Sequence, residues 1–456
     1  MLDKTFSRIM NEIRVVAVLW LVWIGISTAH AAFDSLPELG ASHTALATER
    51  TELQLGNKIY LELRKSPDYV DDPRISEYLT ELVIKLIDAS PAPALKVRVL
   101  LMKNNNINAY ATFGGVIVVN TGLLHAVSSE DELAAVLSHE IAHLTQQHLR
   151  RLIEEHKNDS VYSMIGMVAA VMAGGKNAQI AEAIAASVQA ANIQSGITYT
   201  RSYEKEADRT ALGILCNAGF DNTALPSFFH TLQVKMIGAD SGRIPSYLKT
   251  HPLTTERIAD AEDRIYQKRC QRKEPQTDFY EIKAQSDVLY GSDNLSIITP
   301  FRTAMREFKK GNYTNSLKLI EKNKTKGFQL LSAENLLNLD EFSESLHILQ
   351  ALYNDTPSVS VARLLARHPQ FKDEALLVEF SKNWPHEFEL STEIATAYFR
   401  MGYSAKGYQS LAKAYENLDF EKALEYYEIA LKTDGLTTQD AEVSLAAKNR
   451  LKTMYF

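Results

Sequence analysis

Cysteine is scarce in this chain: Cys216 and Cys270 are the only two in 456 residues. Neither lies near the N-terminus, so a lipid-attachment cysteine is excluded there. Long apolar runs are also missing. The N-terminal run Val15–Ser27 falls short of the ~20 residues that a membrane-spanning helix needs. Nor is positive charge in excess: 49 Lys and Arg stand against 56 Asp and Glu, a formal charge of −7, which gives no reason to expect a nucleic-acid partner. With 45% hydrophobic and 23% charged residues the composition is that of a globular protein, neither disordered nor multi-span. The length allows two or three domains.

What is present begins with Lys4, Arg8 and Arg14 ahead of the short apolar run, followed by Ala29-His30-Ala31. A basic stretch, a short apolar stretch and a small-x-small site read as a cleaved secretory signal over residues 1–31, with an uncleaved anchor as the alternative. Export to the periplasm makes a Cys216–Cys270 disulfide possible.

Two halves of different character follow. Residues 32–270 read as amphipathic helices around a short β segment. "DDPRISEYLTELVIKLIDAS" opens a helix with Asp72 as N-cap and Pro73 at the first helical position. "LKVRVLLM" and "GGVIVVNTG" have strand composition, with a further strand or edge segment between them and a turn at Gly114-Gly115. Ser129 with Glu132 three residues on is a capping box, starting one long helix through "HEIAHLTQQHLRRLIEE". "VYSMIGMVAAVMAGG" is apolar but short and glycine-bearing, a packed helix or hairpin or else a membrane-contacting loop. Residues 271–299 are irregular and polar and read as a linker.

Over residues 300–456, Tyr313, Phe342 and Phe420 are each followed three and four positions on by a small residue and Leu. The last copy is close to a tetratricopeptide repeat, although Gly435 stands where proline is usual. The expected fold is thus α+β and mostly helical: a domain with a small sheet, then an all-α solenoid of tetratricopeptide-like repeats with a concave binding face.

The chemistry concentrates in His139-Glu140-x-x-His143. Four residues apart on a helix, both imidazoles reach one metal ion, while Glu140 lies to the side. Zinc at such a site takes three protein ligands, leaves a position for water and lowers that water's pKa to about 7; the glutamate takes its proton. The third ligand is not a histidine six positions after His143, because Leu149 stands there. His148, five residues past His143 on that helix, lies about 140° from the metal face, so it reads as a solvated surface histidine. "YTRSYEKEADRTALGILC" supplies Glu204 as third ligand, with Asp208 one turn on, placed to hold a ligand histidine.

"HEIAH", "EKEAD" and "NAYATFGGVIVVNTGLL" together resemble the zinc-peptidase family that includes the CAAX prenyl protease, the heat-shock membrane protease and the mitochondrial Oma-type protease. The likeness spans most of residues 50–270. Phe113 departs from it, standing where the family often has proline. With an export signal in front and repeats behind, the chain resembles the branch of that family serving outer-membrane β-barrel assembly. The resemblance implies a gluzincin-type metallopeptidase domain over residues 32–270 and one Zn2+ per chain. It implies proteolysis of misfolded or stalled β-barrel proteins with chaperone-like help, and the barrel assembly machinery as partner of the repeat domain. A non-proteolytic chaperone or adaptor with a structural zinc site is the alternative.

Substrate is expected as an added strand against the edge formed by Asn108, Ala109, Tyr110, Ala111, Gly114 and Gly115. His251, stiffened by Pro252 and followed by a helix capped by Thr254, is the last candidate. It could stabilise the oxyanion, or bind the metal and displace water as a shut-off latch.

Overall fold

The structure is a computed structural model, described here for residues 49–155, 199–237, 245–273, 278–291, 293 and 298–455. The expected signal over residues 1–31 and the apolar stretch at 161–175 lie outside the described residues.

Helices α1 (Glu49–Lys65) and α2 (Pro73–Asp88) lead into strands β1 (Arg98–Met102), β2 (Ala109–Thr112) and β3 (Val116–Asn120). Asp72 caps α2 as its sequence indicates, its side chain accepting from the N–H groups of Arg74 and Ile75. The sheet order is β1-β3-β2, with β1 parallel and β2 antiparallel to β3, so β2 is an edge strand. The turn between β2 and β3 requires positive φ at Gly114 (64°) and Gly115 (73°), which β-carbon-bearing residues resist. Gly114 also packs against Gly56 of α1, a close approach that a side chain would block.

Alternation along the strands gives the sheet two apolar faces. Leu101, Ala109, Ala111, Ile117 and Val119 join the main core with α2 and the helix that carries His139. Leu100, Met102, Tyr110, Val116 and Val118 face the other way, onto Tyr60 and Leu63 of α1 and onto Phe388 and Ala414 from the C-terminal region. The sheet is therefore buried between the main core and the C-terminal helices.

After α3 (Thr121–Ala126) comes α4 (Glu130–Thr145), starting where the capping pair places it. Ser129 accepts from the Glu132 N–H, but the Glu132 carboxylate turns back to the N–H and hydroxyl of Ser128 rather than to Ser129. The expected single long helix is two. Gln147 has φ +54°, and α5 (His148–Glu155) sets off in a new direction. Beyond it lie α6 (Arg201–Ala218), α7 (Ala224–Ile237), α8 (Ser246–Thr250) and α9 (Thr255–Gln267). Thr254 caps α9 through the Arg257 N–H, and Cys216 is disulfide-bonded to Cys270.

The stretch at 271–299, read as an irregular linker, contains α10 (Phe279–Tyr290). Its Phe279 and Ile282 belong to the main core and its Ala284 and Val288 to the first core of the C-terminal helices. Buried Gln285 and Asp287 hide this periodicity in the sequence; Gln285 bonds to Arg74 and Asp72, and one oxygen of Asp287 accepts from Arg302.

Ten helices follow among the described residues: α11 (Pro300–Lys309), α12 (Tyr313–Ile320), α13 (Lys326–Asn338), α14 (Phe342–Asp355), α15 (Val359–Arg367), α16 (Glu374–Asn383), α17 (Phe388–Arg400), α18 (Ser404–Tyr415), α19 (Phe420–Lys432) and α20 (Thr438–Tyr455). Tyr313, Phe342 and Phe420 each begin a helix, and the small residues three positions on, Ser316, Ser345 and Ala423, are fully buried. Helix α18 has the same layout without the aromatic. Gly402 shares the positive φ of Gly311 and Asp340, and Gly407 takes the small position against the Phe399 ring. The repeats do not hang from a tether. Glu77 of α2 accepts from the N–H and hydroxyl of Ser360, and Arg363 joins Asp71 to Glu393. No described helix is long and apolar enough to cross a membrane.

Candidate metal centre

Helix α4 passes under edge strand β2 and presents His139 and His143 on one side, as the four-residue spacing dictates. Their Nε2 atoms are 3.0 Å apart. Helix α6 crosses α4 and brings Glu204 to both, 3.5 Å from each Nε2. Small Ala207 and Ala211 on α6 are fully buried in this crossing. His251, at the C-terminal end of α8, completes the group. One ligand atom from each of His139, His143, Glu204 and His251 lies within 4.8 Å of every other.

Protonation shows what this group fits. Nδ1 of His139 lies 2.9 Å from an oxygen of Asp208, and Nδ1 of His143 is 2.9 Å from Nδ1 of His148. With their Nδ1 positions so engaged, neutral imidazoles present lone pairs at Nε2. Two lone pairs 3.0 Å apart and a carboxylate 3.5 Å from each set acceptor against acceptor in a fully buried space. A divalent cation satisfies them, and two imidazoles with one carboxylate suit zinc. Without a cation the charges must compensate among themselves. Burial would lower the pKa of His139, but Asp208 and Glu204 raise it to about 9. Burial pushes Glu204 up, yet His251 and Arg257 hold its carboxyl well below the usual range.

Glu140 is on the same helix, buried, with one oxygen 3.2 Å from the Ala111 N–H of β2 and the other 3.5 Å from Nε2 of His251. Burial raises its pKa against the pull of His251 and His139, as suits a group that must take up a proton. His251 stacks on Tyr247, ring centroids 4.6 Å apart, and Tyr247 is tied by its N–H to the Ile107 carbonyl beside β2.

Of the expected edge residues, Asn108, Ala109, Tyr110 and Ala111 line this strand and its entry, and the Ala111 N–H already points at Glu140. Gly114 and Gly115 lie in the turn beyond, where backbone conformation and packing on α1 account for them.

His148 is the correction. It is fully buried, stacked on Tyr203 and against His143. The offset of about 140° holds only for an unbroken helix, and the chain breaks at Gln147. Arg257 is the residue that sequence reasoning missed. It is 1% exposed and forks onto both Asp208 oxygens at 2.7 and 2.8 Å, with another nitrogen 2.7 Å from Glu204. Its signal was an arginine on the apolar stripe Arg257–Ala261–Ile265 of α9, all three buried.

Residues 73–265 match the model described as peptidase family M48. Over 299 residues the chain is 31% identical to the β-barrel assembly-enhancing protease of Escherichia coli K12, covering 64% of this chain and 60% of that protein. It is 34% identical over 250 residues to a putative β-barrel assembly-enhancing protease of Vibrio cholerae, covering 55% of this chain and 51% of that one. Against the mitochondrial metalloendopeptidase OMA1 of Schizosaccharomyces pombe it is 26% identical over 198 residues, 43% of this chain and 55% of that protein. The matches thus span about half to three-fifths of each relative's length. The segment that matches the family model, Pro73 to Ile265, holds every residue of the cluster.

Proposed function

We propose that the chain is a zinc-dependent endopeptidase of the periplasm that acts on misfolded or stalled outer-membrane β-barrel proteins. The observation that carries this reading is the convergence of His139, His143 and Glu204 with Glu140 beside them. The names of the Escherichia coli relatives support the link to barrel assembly. Zinc, when bound, supplies a Lewis acid that polarises the scissile carbonyl and activates water. His139, His143 and Glu204 hold it; Asp208 aims His139, and Glu140 receives the proton. An extended substrate adds to β2, an edge strand of the sheet among the described residues, main chain to main chain, which favours unfolded segments over particular side chains. Residues 1–31 act as export signal and 32–270 as peptidase domain. Residues 271–299, now with α10 inside them, form the joint. Residues 300–456 form the repeat domain, which binds the barrel assembly machinery or the client.

His251 serves as a latch in this reading: its Nδ1 sits 2.9 Å from Glu204 and 3.4 Å from Nε2 of His139, in the place of a fourth donor. The same closure favours a second reading, a chaperone or adaptor whose zinc is structural, since structural sites have four protein ligands.

Glu140→Gln and Glu204→Gln separate the possibilities. The first is expected to lower casein hydrolysis by about 10²–10⁴-fold while zinc content stays at one per chain. The second loses the metal. Retention of zinc by Glu204→Gln at wild-type affinity would sink the ligand set. Unchanged clearance of damaged barrel proteins in a Glu140→Gln strain would favour the adaptor.

A further inference from the structure

The two imidazoles of the HExxH pair are supported differently. His139 rests against the carboxylate of Asp208, itself clamped by Arg257. His143 rests against another imidazole. Its Nδ1 is 2.9 Å from Nδ1 of His148, and Nε2 of His148 is 3.4 Å from an oxygen of Glu206. Glu206 in turn meets Arg151 at 3.0 Å near the surface. His148 is held as firmly as any residue of the site: wholly buried, parallel to Tyr203 at 4.7 Å between ring centroids. The break at Gln147 puts it there, since only the new direction of α5 returns the ring to α4.

We infer that His148 is a positioning residue for the metal centre: its Nδ1 accepts the Nδ1–H of His143, fixing that imidazole's tautomer and aim. The inference rests on the zinc reading proposed above. The tautomers follow in sequence. A His143 that offers Nε2 to a cation carries its proton on Nδ1. His148 must then present a lone pair at Nδ1, so its own proton is on Nε2, facing Glu206. A ligand histidine depends on such an outer partner for orientation.

The chemistry of the partner also matters. Glu140, Glu204 and Asp208 lie buried around the centre, and the guanidinium of Arg257 pairs with the last two. Three carboxylates and one arginine leave two negative charges, which a divalent cation cancels. A carboxylate in place of His148 would add an uncompensated buried charge. A neutral imidazole orients His143 without doing so, and Glu206, 3.4 Å from its Nε2, lies at the partly exposed side.

The test uses the full chain. Zinc affinity is measured by competition with a chromophoric chelator for wild type, His148→Phe and His148→Asn, with the melting temperature of each metal-free form as folding control. His148→Phe keeps the flat ring against Tyr203 but removes the acceptor. It is expected to weaken zinc binding about 10–100-fold with the metal-free melting temperature little changed. His148→Asn places an oxygen near the position of Nδ1 and is expected to recover most of that loss. Wild-type zinc affinity in a folded His148→Phe protein overturns the assignment. Should that variant not fold, nitrogen-15 NMR of the zinc-loaded wild type decides: Nδ1–H on His143 with Nε2–H on His148 supports it, and a proton on Nδ1 of His148 overturns it. A wild type that binds no zinc removes the peptidase reading and this assignment together, so the two failures are distinguishable.

Discussion

His251 Nδ1 lies 2.9 Å from Oε1 of Glu204, inside the ligand set, while its Nε2 is 3.5 Å from Glu140. It touches both a proposed ligand and the proposed base, so the centre is closed. Replacing His251 with Ala is expected to raise basal casein hydrolysis severalfold. A fall in activity would show instead that the imidazole helps the reaction, and no change would make it a bystander.

Arg257 is a buried cation with two buried anions. Removing one partner of such a group leaves charge uncompensated and costs about 3–5 kcal/mol. Arg257→Leu is expected to lower the melting temperature by several degrees and to release zinc more readily, because Asp208 loses its clamp. Arg257→Lys keeps the charge without the fork, and should recover only part of the loss. A thermal melt like wild type for Arg257→Leu would refute the clamp.

Glu334 of α13 faces Asp72 across the junction of repeats and peptidase, in a small cavity also lined by Arg74 and Leu364. Burial and Asp72 push its pKa up to about 7, against the pull of Arg74 and Arg367. The folded state therefore holds this proton more tightly than the unfolded chain. The stability from it is complete below the ordinary carboxyl pKa of about 4.3 and is lost as pH rises through about 7. Glu334→Gln should flatten the fall in melting temperature between pH 5 and pH 8. A variant with the wild-type slope over that range would place the titration elsewhere.

Arg363, 2% exposed, holds Glu393 within the repeats and Asp71 in the peptidase half. Arg363→Met leaves Glu393 buried with Arg367 as its remaining cation. The expected result is looser docking, read as faster limited proteolysis between residues 270 and 300 and a lower melting temperature. A cleavage rate equal to wild type would show that the apolar contact around Phe388 suffices.

The local grammar of the chain determined much by itself. Asp72, Ser129 and Thr254 cap the helices that their positions announce, because a cap bonds to N–H groups two or three residues away. The four-residue spacing placed His139 and His143 together for the same reason, and the aromatic-small-Leu pattern marked the repeat helices that begin at Tyr313, Phe342 and Phe420. What only the tertiary structure decided are relations between distant residues: Arg257 on Asp208 and Glu204, α10 joining two cores, and Phe388 against the sheet. His148 shows the boundary between the two. Its distance along the chain from His143 was legible, but its direction depended on one backbone angle at Gln147. That conformation is unfavourable for a residue with a β-carbon, and it persists here because the packing of α5 onto α4 and α6 outweighs the local preference.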